Sequence, residues 1–304
     1  MQKDIVLTKL EDTRNFNEIY TALDLHLYEP ILVPDKEVEN RYRIERNDTN
    51  KVLKINRAVS KQFKVLSNKK ILEIGTKLLE DNDNLTITAA SSKNYGENIF
   101  LEAKIKDFKI NEELENIQGI GKVEPNLFIN IPVLGSINFI TSAYQIVCQN
   151  QVIALSSNPL TKAVSIKHNS DIEEQIDNVL INYQNIETEF NTILNQLAVF
   201  KEFNLTDEDY NDYLGSLFSV SDITKDKPRL YKTLCDKYLN APNSSPGNLL
   251  GAYNSITNYI ATNNYKNEDL KYFSKLPTSS QYNLAKNAYK LASTVVKVGT
   301  NILN

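Results

Sequence analysis

DIEEQIDNVLINYQNIETEFNTILNQLAVFKEF, residues 171–203, is the stretch whose reading decides the fold. Its apolar residues fall at Ile172, Ile176, Val179, Tyr183, Ile186, Phe190, Ile193, Leu197 and Phe200, in alternating steps of four and three. Such spacing puts them along one seam of a long helix, a heptad pattern that a straight surface helix does not hold. Neither Gly nor Pro interrupts it. The chain ahead of it reads as short strands and turns, the chain behind it as helices.

Working back from the seam, residues 14–27 read as a helix ended by Pro30, since the residue before a proline avoids the α region. YRIER at 42–46 and KVLKINR at 51–57 flank an Asn-Asp-Thr-Asn turn and read as a β-hairpin. Asn68 is placed to cap a helix over residues 69–80, with Ile71, Ile74 and Leu78 on its apolar face. A second hairpin joins 85–88 to 98–105 around Lys93–Gly96. Strands are expected at 126–131, 136–147 and 151–155, and one more at 161–168. Working forward, helices are expected at roughly 206–220, 227–240, 248–263 and 278–302, with Pro228, Pro242, Pro246 and Pro277 at their boundaries. The expected class is α+β. A mostly antiparallel sheet domain with two or three helices spans 1–169, and a helical region spans 170–304, beginning with the long helix and closing as a bundle.

A hydrophobic fraction of 41% supports a real core, and 24% charged residues is ordinary for a globular chain. No apolar run approaches the ~18 residues of a membrane span. The opening MQKDIV lacks the apolar stretch of a signal peptide. The expected location is therefore a cytoplasm or a particle assembled there. Two distant cysteines, Cys148 and Cys235, fit a reducing compartment.

The net charge of −4 conceals a segregation. Residues 41–80 hold 11 Lys/Arg against 4 acids, residues 171–222 hold 12 acids against Lys201, and residues 223–304 hold 11 basic residues against 4 acids. The first block gives a candidate single-stranded nucleic-acid surface: Arg41, Arg43, Arg46, Lys51, Lys54, Arg57, Lys61, Lys64, Lys69 and Lys70. Tyr42 and Phe63 stand among these charges, where they could stack on bases or enter the core. Strand alternation puts Arg41 and Arg43 on one face and Arg46 on the other, so the block cannot all join one patch. The acidic helix could instead meet a basic protein surface. Its flanks disfavour a parallel self-pair, so its seam is expected to pack inside the chain, on the basic helices after residue 223.

Catalytic chemistry is weakly represented. Gly119-Ile-Gly121-Lys122 lacks the spacing of a phosphate loop and reads as a turn. The only histidines are His26 and His168. A Cys148–His168 pair near strand ends is conceivable, beside a plain reading as a buried thiol and a structural histidine. Too few Cys and His are present for a zinc site, and no cofactor is expected.

Several segments, in order, resemble the phage/plasmid-like family built on a widespread prokaryotic domain of unknown function. RIERNDTNKVL at 43–53 is similar to its first hairpin, FKVLSNKK at 63–70 to the lead into its first helix, and YGENIFLEAKI at 95–105 to its second hairpin. YQIVCQN at 144–150 resembles its Cys-Xaa-Asn strand, carrying Cys148 and Asn150. IKHN at 166–169 resembles its Lys-His element, carrying Lys167 and His168. GNLLGAYNSITNY at 247–259 resembles its C-terminal helix motif, carrying Asn254. Gly135 and Ser136 match its Gly-Ser, but Val133 and Leu134 stand where the family has His-Asp, and Tyr144 where it often has Arg. The resemblance implies a mobile-element protein that lacks those polar residues, and no known activity. The leading expectation is a non-catalytic nucleic-acid-binding protein of phage or plasmid DNA metabolism, such as a strand-annealing accessory. A phage structural or interaction component follows, then an enzyme around Cys148, Asn150 and His168.

Overall fold

The computed structural model describes residues 4–53, 58–106, 123–145, 164–167, 186–241, 244–262 and 279–300. The architecture is α+β, with antiparallel sheets and helices. These residues fall into two compact units, one built on 4–106, 126–140 and 164–167, the other helical from Ile186 onward.

The sheet unit opens with β1 (Ile5–Thr13) and α1 (Phe16–Ala22). Three short strands, β2 (Pro30–Pro34), β3 (Tyr42–Arg46) and β4 (Val52–Leu53), form an antiparallel sheet in the order β2-β3-β4. Then come α2 (Asn68–Glu80), β5 (Leu85–Lys93), β6 (Asn98–Ile105), β7 (Val123–Pro132), β8 (Ser136–Gln145) and β9 (Val164–Lys167). The larger sheet has the order β1-β5-β6-β7-β8-β9. Both expected hairpins are present: Ile44 pairs with Leu53, and Leu85 with Ile105 through Lys93 with Asn98. The spans 54–57, 151–155 and 171–185 lie outside the described residues.

Register sorts the larger sheet into two faces. Ile87, Ala90, Ile99, Leu101, Ala103, Leu127, Ile129 and Ile131 share one, buried and apolar. Ile71 of α2 lines a small cavity together with Ile99 and Ile131 of that face. Helix α1 lies close on α2 because Gly75 has no side chain; a Cβ there would sit 2.4 Å from the Phe16 ring. The second face carries Thr86, Ser91, Glu102, Asn126 and Asn130 beside Phe100 and Phe128, all buried.

The helical unit comprises α3 (Ile186–Glu202), α4 (Asp207–Phe218), α5 (Ile223–Asp226), α6 (Pro228–Asn240), α7 (Leu249–Ala261) and α8 (Ser280–Val298). Helix α7 is buried on nearly every side, and α3, α4, α6 and α8 all pack on it. Local chemistry sets the boundaries. Thr206 and Asp209 form a capping box on α4, Pro228 opens α6, and the Asn248 side chain accepts from Gly251 N.

Of the seam, Ile193, Leu197 and Phe200 are buried and α3 packs on α7 and α8 of the same chain. The contact is aromatic: Phe200 lies 5.4 Å from Tyr289 and 6.2 Å from Tyr253, ring centre to ring centre. Leu194, off the seam, is buried too, so α3 presents the wider stripe of an ordinary packed helix rather than a narrow coiled-coil seam. Three further differences have local causes. Ser67, not Asn68, caps α2, its hydroxyl accepting from Lys70 N, while the Asn68 amide turns inward to the carbonyls of Leu25 and Tyr28. The helix expected over 14–27 stops at Ala22, because Asp24 takes a left-handed backbone (φ 58°) before a short 3-10 turn. Strand β2, with prolines at both ends, carried no alternation signal and forms by pairing with β3.

Candidate nucleic-acid interface

The basic block begins on β3, where alternation divides its charges. Ile44 and Arg46 point one way, and Arg46 is 2% exposed. Its guanidinium is fully engaged. Nε donates to Asp48 Oδ1 at 2.9 Å, Nη2 to Asp48 Oδ2 at 2.6 Å and Nη1 to the Tyr95 carbonyl at 3.2 Å. The ring of Tyr28 lies 3.7 Å beneath. The hydrogen bonds from Arg46 hold the Asp48 carboxyl below the usual carboxylate range. Arg46 is a clamp between the hairpin turn and the β5–β6 turn, and this corrects its assignment to a phosphate-binding surface.

Arg43 points the other way and pairs with the buried Glu45 at 2.5 Å. Lys51 sets its ammonium 2.7 Å over the Tyr95 ring, a cation–π contact. Lys70 pairs with Glu73 at 3.1 Å. At the start of α2 the amides that would seat a phosphate are already taken. Glu29 accepts from Asn68 N at 2.6 Å and from Lys69 N at 3.2 Å, a carboxylate at the positive end of the helix.

The remaining cations divide between two ends of the small sheet. Tyr42 and Val59 exchange backbone hydrogen bonds of 2.9 and 2.7 Å. This antiparallel bridge brings Arg41 beside Ser60 and Lys61, and the turn from Ser60 to Phe63 leads into Lys64. Arg41, Lys61 and Lys64 are exposed. Lys51 and Lys69 belong to the far end with Arg46 and Glu29, about 17 Å away at ~3.4 Å per strand residue. Lys54 and Arg57 lie outside the described residues. The block is therefore split, and its accessible cluster is Arg41, Lys61 and Lys64. The loop before it bends back through an Asp35 N to Arg41 O hydrogen bond of 2.8 Å, leaving Glu37 and Glu39 exposed nearby. Tyr42 and Phe63 pack against Ile44, Leu53, Val59 and Val133, which assigns them to this small core.

The motif positions separate into groups. Gly135, with φ +125°, makes the β7–β8 turn in a conformation that favours glycine. Ser136, which opens β8, stands opposite Lys167 on β9, so the Gly-Ser turn and Lys167 meet at one end of the sheet. Cys148, Asn150 and His168 lie outside the described residues. Asn254 is buried in α7. Cys235 on α6 is half-buried, and burial pushes its thiol up, away from nucleophilic character. Among the described residues no three His, Cys, Asp or Glu side chains gather as metal ligands, and no helix is long and apolar enough to cross a membrane.

Sequence reading missed the partners that consume the charges: Asp48, Glu29, Tyr28 and Tyr95. Three partners are local in sequence: Asp48 to Arg46 across a turn, Glu45 to Arg43, and Glu73 to Lys70. The others act over 18 to 49 residues of chain. Compared with known proteins, the chain matches the model of DUF932, a domain of unknown function, over residues 57–288. No curated protein and no solved structure matches it.

Proposed function

We propose that this chain, which belongs to the DUF932 family, is a non-catalytic nucleic-acid-binding protein that holds single strands by their phosphates at the Arg41 end of its small sheet. The observation that carries the reading is the Tyr42–Val59 bridge. It fixes Arg41 beside Lys61 on paired backbone, and neither side chain has an ion-pair partner among the described residues. Charges without an intramolecular partner keep their full attraction for a polyanion, whereas Arg46 and Arg43 have their charge neutralised by their own carboxylates. The setting in phage or plasmid DNA metabolism rests on the motif resemblance. The reading rests on phosphate contacts, which position a strand without reading its bases, and so implies little sequence preference.

The test is titration of a fluorescent mixed-sequence oligonucleotide of about 30 nucleotides at low salt. Arg41→Glu/Lys61→Glu is expected to weaken binding, while the folded protein keeps its melting behaviour because both side chains are exposed. Unchanged affinity in the double variant overturns the assignment of this interface.

A further inference from the structure

We propose a second phosphate-binding surface, on the outer face of α8 in the helical unit; it deepens the nucleic-acid reading above and rests on it for the identity of the ligand. Lys286, Lys290 and Lys297 occur at steps of four and seven along this helix, and at 100° per residue they share one narrow stripe. All three are exposed, and no hydrogen bond or ion pair joins their ammonium groups to another described residue. The helix SQYNLAKNAYKLASTVVKV contains no acidic residue at all. Its opposite face, Tyr282, Ala285, Ala288, Tyr289, Ala292 and Val295, is buried against α3, α4 and α7.

This arrangement separates the candidate partners. A membrane-surface helix must bury its apolar face in lipid, and here that face is already spent on the core. Helix α3 meets α8 through the Phe200–Tyr289 ring contact, and among the described residues none of its acidic side chains pairs with the stripe. What remains is a rigid ridge with its cations about 6 and 10.5 Å apart along the axis at 1.5 Å per residue. A phosphodiester backbone carries charge about every 3.4 Å per strand in a duplex, so a strand laid along the ridge meets each lysine with a phosphate within reach of its flexible stem. Three such contacts contribute about −2 to the slope of log K against log salt for a single strand, at ~−0.7 per phosphate.

The experiment titrates the same oligonucleotide against the full chain at 50 and 200 mM salt. Compared are the wild type, Lys286→Gln/Lys290→Gln/Lys297→Gln, and a control of equal charge change, Lys225→Gln/Lys232→Gln/Lys237→Gln on α5 and α6. Arg41→Glu/Lys61→Glu is run alongside. The α8 variant is expected to bind more weakly than the control at 50 mM and to lose about 16-fold less of its affinity between the two salts than the wild type does, a slope smaller by about 2. An α8 variant indistinguishable from the control overturns the second surface, whatever the Arg41 variant does. Loss in the α8 variant with none in the Arg41 variant supports it and rejects the Arg41 interface instead. Wild-type binding to polyglutamate as tight as to the oligonucleotide assigns the ridge to an acidic protein and overturns the phosphate proposal. No oligonucleotide binding by the wild type at 50 mM overturns both.

Discussion

Arg46→Met tests the most consequential reassignment, from phosphate ligand to internal clamp. Methionine keeps much of the volume and removes every donor. The change breaks the bidentate pair with Asp48, the bond to the Tyr95 carbonyl and the contact over Tyr28. Removing one partner of a buried ion pair costs about 3–5 kcal/mol. The Asp48 side chain keeps 27% exposure and can rehydrate, which places the expected loss near the lower bound, about 3 kcal/mol. With an m-value of ~2 kcal/mol/M, the urea midpoint of the transition that unfolds the sheet unit should fall by about 1.5 M. Tyrosine fluorescence follows it directly, because the chain has 16 Tyr and no Trp. Below the midpoint the variant should still bind oligonucleotide as the wild type does. A midpoint within ~0.25 M of wild type, or loss of binding in folded protein, refutes the clamp.

The same clamp has a pH signature. Asp48 is depressed in the folded state, so its contribution is present above the unfolded value of 3.8 and is lost as pH falls below it; urea midpoints of wild type and Arg46→Met should converge in that acid range. Phe200→Ala empties the centre of the Tyr253–Tyr289 cluster, where Phe200 is 0% exposed, and should cost about 3–5 kcal/mol in the helical unit by thermal or urea melting. Tyr213 donates to the Ala288 carbonyl at 2.9 Å, whereas the buried Tyr253 hydroxyl has no hydrogen-bond partner among the described residues. Tyr213→Phe should therefore destabilise by about 1 kcal/mol or more, and Tyr253→Phe should be neutral or stabilising in the same melt.

Much of the architecture was legible because its determinants are local. The Asn-Asp-Thr-Asn turn between two alternating runs gave the first hairpin, and the Ile71, Ile74, Leu78 spacing gave the buried face of α2. The prolines at 228 and 246 marked helix ends that the structure keeps within a few residues. Long-range pairing was not legible. Strand β2 exists because β3 offers it a partner, and nothing in Pro30–Pro34 alternates. The heptad reading of α3 overstated the regularity of the seam, since Leu194 enters the same core from a position outside it. The candidate site was less legible still. A charge count cannot distinguish Arg41, which no carboxylate among the described residues engages, from Arg46, which Asp48, Tyr95 and Tyr28 enclose. Two of those three partners, Tyr95 and Tyr28, come from other turns of the chain. In α8 the count concealed a pattern in the other direction: three lysines on one face were diluted among the remaining charges of residues 223–304.

The measurement that bears most directly on the nucleic-acid reading is the salt dependence of wild-type binding, compared between an oligothymidine and a mixed-sequence strand. Phosphate contacts from Arg41 and Lys61 predict a log–log slope of about −1.4 from that cluster, at ~−0.7 per contact. The slope should be equal for both sequences. A slope near zero, or affinity that depends on sequence while ignoring salt, contradicts the account.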